Sequence, residues 1–168
     1  MFFRLPVAVC LALLSLAVGA EPLRIGSESR DAAAAYVGTQ NFVVGRMARD
    51  CFEILGRSDT PKDFVAAWQS RNQNYYAASV IYMGARLTEV EKTGGEHELK
   101  KVATSFQYSV QSQGAATVAD FFKKGEKSEV CKRVIGLIEN KAFDITPQTP
   151  IFSEIEALLV FVATNNLQ

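Results

Sequence analysis

Residues 60–95, TPKDFVAAWQSRNQNYYAASVIYMGARLTEVEKTGG, decide the fold class. Thr60 is a good helix cap, Pro61 suits the first helical position, and the carboxylate of Asp63 favours the positive end of the helix dipole. The Gly-Gly pair that closes the stretch is a helix stop. The pattern predicts one helix of roughly 32 residues and about 48 Å. That length indicates an elongated helical bundle or a break near Gly84.

A helical wheel of this stretch shows one seam and one aromatic stripe. We predict that the seam is core from Tyr76 onward, and that Gln69 and Asn72 interrupt its first part. The seam consists of Val65, Gln69, Asn72, Tyr76, Val80, Met83, Leu87 and Val90. The stripe lies beside it and consists of Phe64, Trp68, Tyr75, Tyr82 and Arg86.

Two interpretations of this polar and aromatic stretch compete. In the first, the rings belong to the core, because an aromatic stripe at helical spacing is usually buried. Gln69 and Asn72 then satisfy each other or a helix end, and a buried Asn can also fix the register of the bundle. In the second, no helix covers this half and a groove binds a partner, because aromatic residues and Arg are enriched at binding hot spots. The candidate partner-binding residues are Trp68, Arg71, Asn72, Tyr75 and Tyr82.

The rest of the chain shows the same helical period, and no alternating strand pattern stands out. Further helices are predicted at about Asp31–Leu55, His97–Lys124, Glu129–Lys141 and Phe152–Thr164, with Ser128 as the cap before Glu129. The helix at His97–Lys124 has seven apolar residues on its predicted buried side, namely Leu99, Val102, Phe106, Val110, Val118, Phe121 and Phe122. We therefore predict an all-α fold, a disulfide-linked bundle of four to five helices with one long second helix. Residues 21–168 are expected to form a single helical domain.

Residues 1–20, MFFRLPVAVCLALLSLAVGA, have the layout of a secretory signal peptide. A basic residue precedes an apolar run, and small residues end at Ala20, after which cleavage is expected. The run is short for a membrane span, which needs about 20 apolar residues. We expect an exported protein, periplasmic or extracellular, without a stable membrane anchor once the signal peptide is removed.

Two cysteines, Cys51 and Cys131, remain after this cleavage. In an oxidising compartment an even pair is most simply a disulfide, although two free thiols or a redox pair are alternatives. The residues lie far apart, and a redox pair usually has Cys-x-x-Cys spacing, so a structural bond is favoured. In the chain-entropy model such a bond stabilises by about 4 kcal/mol.

Charge and motifs exclude several classes of function. The 18 basic and 18 acidic side chains balance and form no basic stripe, so we expect no nucleic-acid partner. The one histidine, His97, stands between two glutamates at a predicted helix start, so we predict no metal site and no cofactor. Nucleotide-binding loops and nucleophile elbows are missing from the sequence.

These observations favour an exported helical protein that acts by protein–protein binding without catalysis. Adaptor, chaperone-like and immunity or inhibitor proteins belong to this class. The alternative is a carrier of a small apolar ligand in the bundle core. A third hypothesis is an enzyme whose site follows no known motif.

Overall fold

The computed structural model describes residues 24–167, and the predicted signal peptide lies outside these residues. The described chain forms five helices, without strands, which confirms the predicted fold class. They are α1 (Glu28–Cys51), α2 (Pro61–Arg71), α3 (Gln73–Phe122), α4 (Lys127–Glu139) and α5 (Phe152–Thr164).

The long helix α3 is two helices joined at Gly95. This residue has φ 72° and ψ −175°, a conformation open to glycine but strained for other residues. It divides α3 into a first half, residues 73–94, and a second half, residues 96–122. The predicted stop at the Gly-Gly pair is therefore correct, whereas the alternative break at Gly84 does not occur.

The two halves of α3 run in opposite directions along α1. Contacts of the first half move toward the start of α1 as α3 advances, and contacts of the second half move toward its end. Gly95 is thus the turn of a helical hairpin that packs against α1. The pairs that establish these directions are Tyr82 with Asp31, Glu89 with Ile25, Val110 with Gly38, and Phe42 with Gly114.

The predicted second helix is interrupted at Asn72, which corrects the expectation of one continuous helix up to the Gly-Gly pair. Asn72 has φ −106° and ψ 22°, so α2 ends before it and α3 begins after it. The start of α2 is as predicted, because the Thr60 hydroxyl accepts the backbone N–H of Asp63 at 3.1 Å. The cause of the interruption lies in the linker between α4 and α5, described below.

The core forms around α1, which contacts all four other helices. A disulfide joins Cys51, the last residue of α1, to Cys131 in α4, with 5.3 Å between their Cα atoms. The pairing is as predicted and is consistent with an oxidising compartment. The predicted seam is only partly buried, since Val80 is 54% exposed.

The cap of α4 differs from the expected Ser128. Glu126 is the N-cap, and its carboxylate accepts the backbone N–H groups of Ser128 at 2.8 Å and Glu129 at 3.3 Å. The hydrogen bond from the Ser128 hydroxyl, followed by these two backbone hydrogen bonds, holds the pKa of Glu126 below its usual value. A glutamate side chain is long enough to reach back over the first turn, and it therefore replaces the shorter serine.

Candidate functional site

Side chains at the α2–α3 junction bind the α4–α5 linker, residues 140–151. Trp68 is fully buried and donates its indole N–H to the carbonyl oxygen of Phe143 at 3.0 Å. Asn72 is 3% exposed, and its amide oxygen accepts the backbone N–H of Ile145 at 2.7 Å. Its amide nitrogen donates to the Trp68 carbonyl oxygen at 2.8 Å. The linker, and not another helix, therefore covers Asn72.

Arg71 belongs to the same junction. Its Nε donates to both carboxylate oxygens of Asp144, at 2.9 and 3.2 Å, and its Nη2 donates to the carbonyl oxygen of Ile138 at 3.0 Å. Asp144 also accepts a longer hydrogen bond from the Asn72 amide, at 3.3 Å. The charge of Arg71 is thus paired within the fold and connects the end of α2 to the end of α4.

The two tyrosines belong to α3 and pack against α5. The half-buried ring of Tyr75 meets Phe152 edge to face, with 6.0 Å between centroids. Tyr82 is fully buried against Phe161, and its hydroxyl donates to the Asp31 carboxylate at 2.5 Å. Burial, followed by the hydrogen bond to Asp31, raises the pKa of Tyr82 above its usual value. Both rings therefore serve the packing of α5 on α3.

The five candidate partner-binding residues do not line one groove. Three are at the linker junction, Tyr75 packs against Phe152 of α5, and Tyr82 contacts Asp31 near the start of α1. Trp68, Asn72 and Tyr82 present almost no surface to a partner. Trp68 and Tyr82 are core residues, as the first interpretation expects, and a binding role for the five residues stays a prediction.

A cleft of about 920 Å³ opens between the start of α1 and the two halves of α3. We call it the α1–α3 cleft. Its apolar wall consists of Ala32, Ala35, Met83, Val102 and Phe106, and the charged residues that line it are Arg24, Glu28, Arg30, Asp31, Arg86, Glu98 and Lys101. The volume lies within the range of small-molecule sites, about 300–1,000 Å³.

Arg86 is one of the residues that line this cleft, and it is paired with Glu89. The Glu89 carboxylate accepts the backbone N–H groups of Ile25 at 2.8 Å and Gly26 at 3.0 Å, and a hydrogen bond from Arg86 Nη1 at 3.0 Å. Burial opposes ionisation of Glu89, but these three donors outweigh it and lower the pKa of that carboxyl. Glu89 therefore ties the segment before α1 to α3 and holds the Arg86 guanidinium in place.

The second half of α3 carries a face that sequence reasoning missed. Between Lys101 and Asp120 the chain has no charged side chain, although most of this segment is exposed. We call the exposed side of residues 102–119 the uncharged face. Tyr108 is 73% exposed on it. Small residues at spacings of three and four form a stripe there, namely Ser105, Ser109, Ser112, Ala116 and Ala119. The absence of charged residues between Lys101 and Asp120 could have been recognised from the sequence.

Neither a cluster of metal-binding side chains nor a helix suited to cross a membrane occurs among residues 24–167. No group of three or more His, Cys, Asp or Glu side chains there is arranged to hold a metal ion. His97 has a side chain that is 95% exposed, with Nδ1 4.0 Å from the Glu98 carboxylate. None of the described helices has the length and apolar character that crossing a membrane requires.

Comparison with known proteins does not assign a function. No family model, curated protein or solved structure matches this chain.

Proposed function

We propose that this protein acts by binding another protein, without catalysis, through the uncharged face of α3. One observation carries the proposal. A helix surface that is exposed over residues 102–119 carries no charged side chain, while charged residues flank it on both sides. Export into the periplasm or the extracellular space, from the predicted signal peptide, is part of the same proposal.

The physical reason is the cost of burying charge. Transferring an unpaired charged side chain into an interface costs several kcal/mol, and charged residues are accordingly depleted at interface centres. Ser, Gln and Ala side chains avoid this cost, since they are uncharged and the polar ones form hydrogen bonds across a contact. A surface that only has to remain hydrated gains nothing from lacking charge.

The shape of this face favours a helical partner. The stripe of small residues from Ser105 to Ala119 allows a second helix to approach closely, because interaxial distances depend on the side chains at the contact. Tyr108 stands beside this stripe with an exposed ring and a hydroxyl group. Rigid amphipathic rings of this kind often dominate binding energy. The expected partner presents a helix with uncharged, small or aliphatic side chains.

Site-specific photo-crosslinking in cells of the source organism tests this proposal. A photoreactive residue replaces Tyr108 or Ser112, and the matched control replaces Lys132, an exposed residue of α4. We expect one discrete protein to crosslink at positions 108 and 112 but not at 132. Crosslinking to a second copy of this chain, equal labelling at all three positions, or no adduct at 108 and 112 would each contradict the proposal.

A variant supplies the second measurement. Ala116→Arg places a long charged side chain on the stripe without touching the core, because Ala116 is exposed. We expect Ala116→Arg to abolish the crosslink from position 108 while the free energy of unfolding stays within about 0.5 kcal/mol of the unchanged protein. Persistence of the crosslink in a folded Ala116→Arg protein would show that the partner does not use this face.

A further inference from the structure

We infer that the α1–α3 cleft is a binding site for a small amphipathic carboxylate, with the carboxylate on Arg86 and the apolar body on the apolar wall. The inference does not depend on a protein partner, although Ser105 and Ser109 belong both to the cleft lining and to the uncharged face. It rests on the donors of Arg86, on the balance of charge in the cleft and on the apolar residues facing it.

Arg86 has hydrogen-bonding capacity that the described fold does not use. Of its five N–H donors, one on Nη1 bonds to Glu89 at 3.0 Å. Its Nε is buried and has no hydrogen-bond partner, and the nearest carboxylate oxygen, on Asp31, is 3.7 Å away. That oxygen already accepts the hydroxyl of Tyr82. Within residues 24–167, Nη2 likewise donates no hydrogen bond.

The guanidinium group is held in place from two sides. Glu89 pairs with it on one side, and the backbone of Gly26 lies so close on the other that a Cβ atom at Gly26 would overlap it. The side chain still lines the cleft and is 24% exposed. Nη2 and the second N–H of Nη1 have no partner within residues 24–167, and a guanidinium fixed in this way can bind a carboxylate through two parallel hydrogen bonds.

The charges in and beside the cleft balance, because four basic side chains line it and the three acidic side chains of the lining are joined by Glu89, which pairs with Arg86. Lys101 pairs with Glu98 at 3.0 Å. Arg30 donates to the carbonyl oxygens of residues 24 and 25 and lies over the Phe161 ring at 4.0 Å. Of the other charged residues that line the cleft, Arg24 and Arg86 are basic, and Glu28 and Asp31 are acidic. The Asp31 carboxylate already accepts a hydrogen bond from the Tyr82 hydroxyl. A single carboxylate therefore fits this site better than a phosphate or a polyanion.

The apolar wall provides the second half of the recognition. Met83 approaches from the first half of α3, while Val102 and Phe106 approach from the second. All three side chains are only partly buried by the fold, so they retain apolar surface that a ligand can cover. Covering apolar surface contributes about 25 cal/mol per Å², which favours a ligand with a chain of several methylene groups.

Calorimetric titration of the mature protein with sodium decanoate tests the inference. Decan-1-ol, which lacks the charge, and decyltrimethylammonium, which reverses it, are the matched probes. We expect saturable binding of decanoate at one site, and binding of both other probes weaker by about tenfold or more. Equal affinity for the three probes, or no saturable binding of decanoate, would overturn the inference.

Two kinds of variant locate the site. Arg86→Met removes the guanidinium, and we expect about tenfold weaker decanoate binding. Ser105→Glu adds a negative charge to the lining of the cleft, and Ser112→Glu adds the same charge on the same helix outside it. We expect Ser105→Glu to weaken binding and Ser112→Glu to leave it unchanged. Equal effects of the two serine variants would overturn the inference, even if Arg86→Met fails to fold.

Discussion

Replacing Asn72 by alanine is expected to release the α4–α5 linker from the α2–α3 junction. The backbone N–H of Ile145 loses its acceptor, now 2.7 Å away, yet stays largely buried, because Ile145 is 8% exposed. An unsatisfied buried donor costs about 1–3 kcal/mol, and the lost hydrogen bond to the Trp68 carbonyl adds about 0.5–1.5 kcal/mol. We therefore expect the free energy of unfolding to fall by about 2–4 kcal/mol.

An intrinsic fluorescent residue of the protein reports on this unfolding. Trp68 is the only tryptophan and is fully buried beside Asn72. Urea unfolding followed by its fluorescence gives the free energy of unfolding of both proteins. Amide hydrogen exchange adds a local measurement, because the Ile145 N–H is protected while Asn72 holds it and should exchange faster in the variant.

Asn74→Ala is the control, because Asn74 is exposed in the first turn of α3. This variant should change the free energy of unfolding by less than about 0.5 kcal/mol. The reasoning is refuted if Asn72→Ala costs no more than Asn74→Ala. It is also refuted if the exchange rate of the Ile145 amide is the same with and without Asn72.

Three further predictions concern single groups. The pKa of Glu89 is lower in the folded protein than the 4.5 of a free glutamate, so the unfolded state takes up the proton first as the pH falls. The stability from Glu89 is present above pH 4.5 and is lost as the pH falls through the folded pKa. In urea unfolding, the free energy of unfolding of Glu89→Gln should therefore fall less steeply with decreasing pH than that of the unchanged protein. Lys141 has φ 66° just after α4, so Lys141→Gly should raise the free energy of unfolding by about 1 kcal/mol in the same assay. Replacing Cys51 and Cys131 by alanine should lower it by about 4 kcal/mol, and a loss below about 1 kcal/mol would contradict the chain-entropy account.

Local signals predicted the helices well, because their causes lie within a few residues. Thr60 caps α2 through Asp63, three residues away. Gly95 has the positive φ expected at a helix stop, and Cys51 and Cys131, the two cysteines of residues 24–167, form the predicted disulfide. The fold class and most helix ends therefore followed from the sequence.

The interruption at Asn72 has a cause that local patterns do not contain. Its amide oxygen holds a backbone N–H that is 73 residues further along the chain. A helical wheel treats the neighbours of Asn72 as a helix surface, whereas a linker supplies them here. The helical wheel marks Asn72 as unusual at its position, but it cannot identify the backbone N–H of Ile145 as its hydrogen-bond partner.

The cleft was out of reach of motif analysis for a related reason. Its lining comes from three segments, at the start of α1, at Met83 and Arg86, and at residues 98–109. The chain brings them together only by reversing at Gly95 and running back along α1. Arg86 counted as one member of an aromatic stripe in the sequence, and its free donors became visible only with Glu89 and Asp31 beside it.

The apolar residues of the second half of α3 spread over an unusually wide arc of the helix. Seven apolar residues are predicted on its buried side, yet only Val118 is buried in the structure. On a wheel the seven span about 200°, wider than one packing face. Val102 and Phe106 lie at the edge of this arc farthest from Val118, and both line the α1–α3 cleft. Packing on α1 covers only part of such an arc, so its remaining edge is left for another contact. The seven residues are Leu99, Val102, Phe106, Val110, Val118, Phe121 and Phe122.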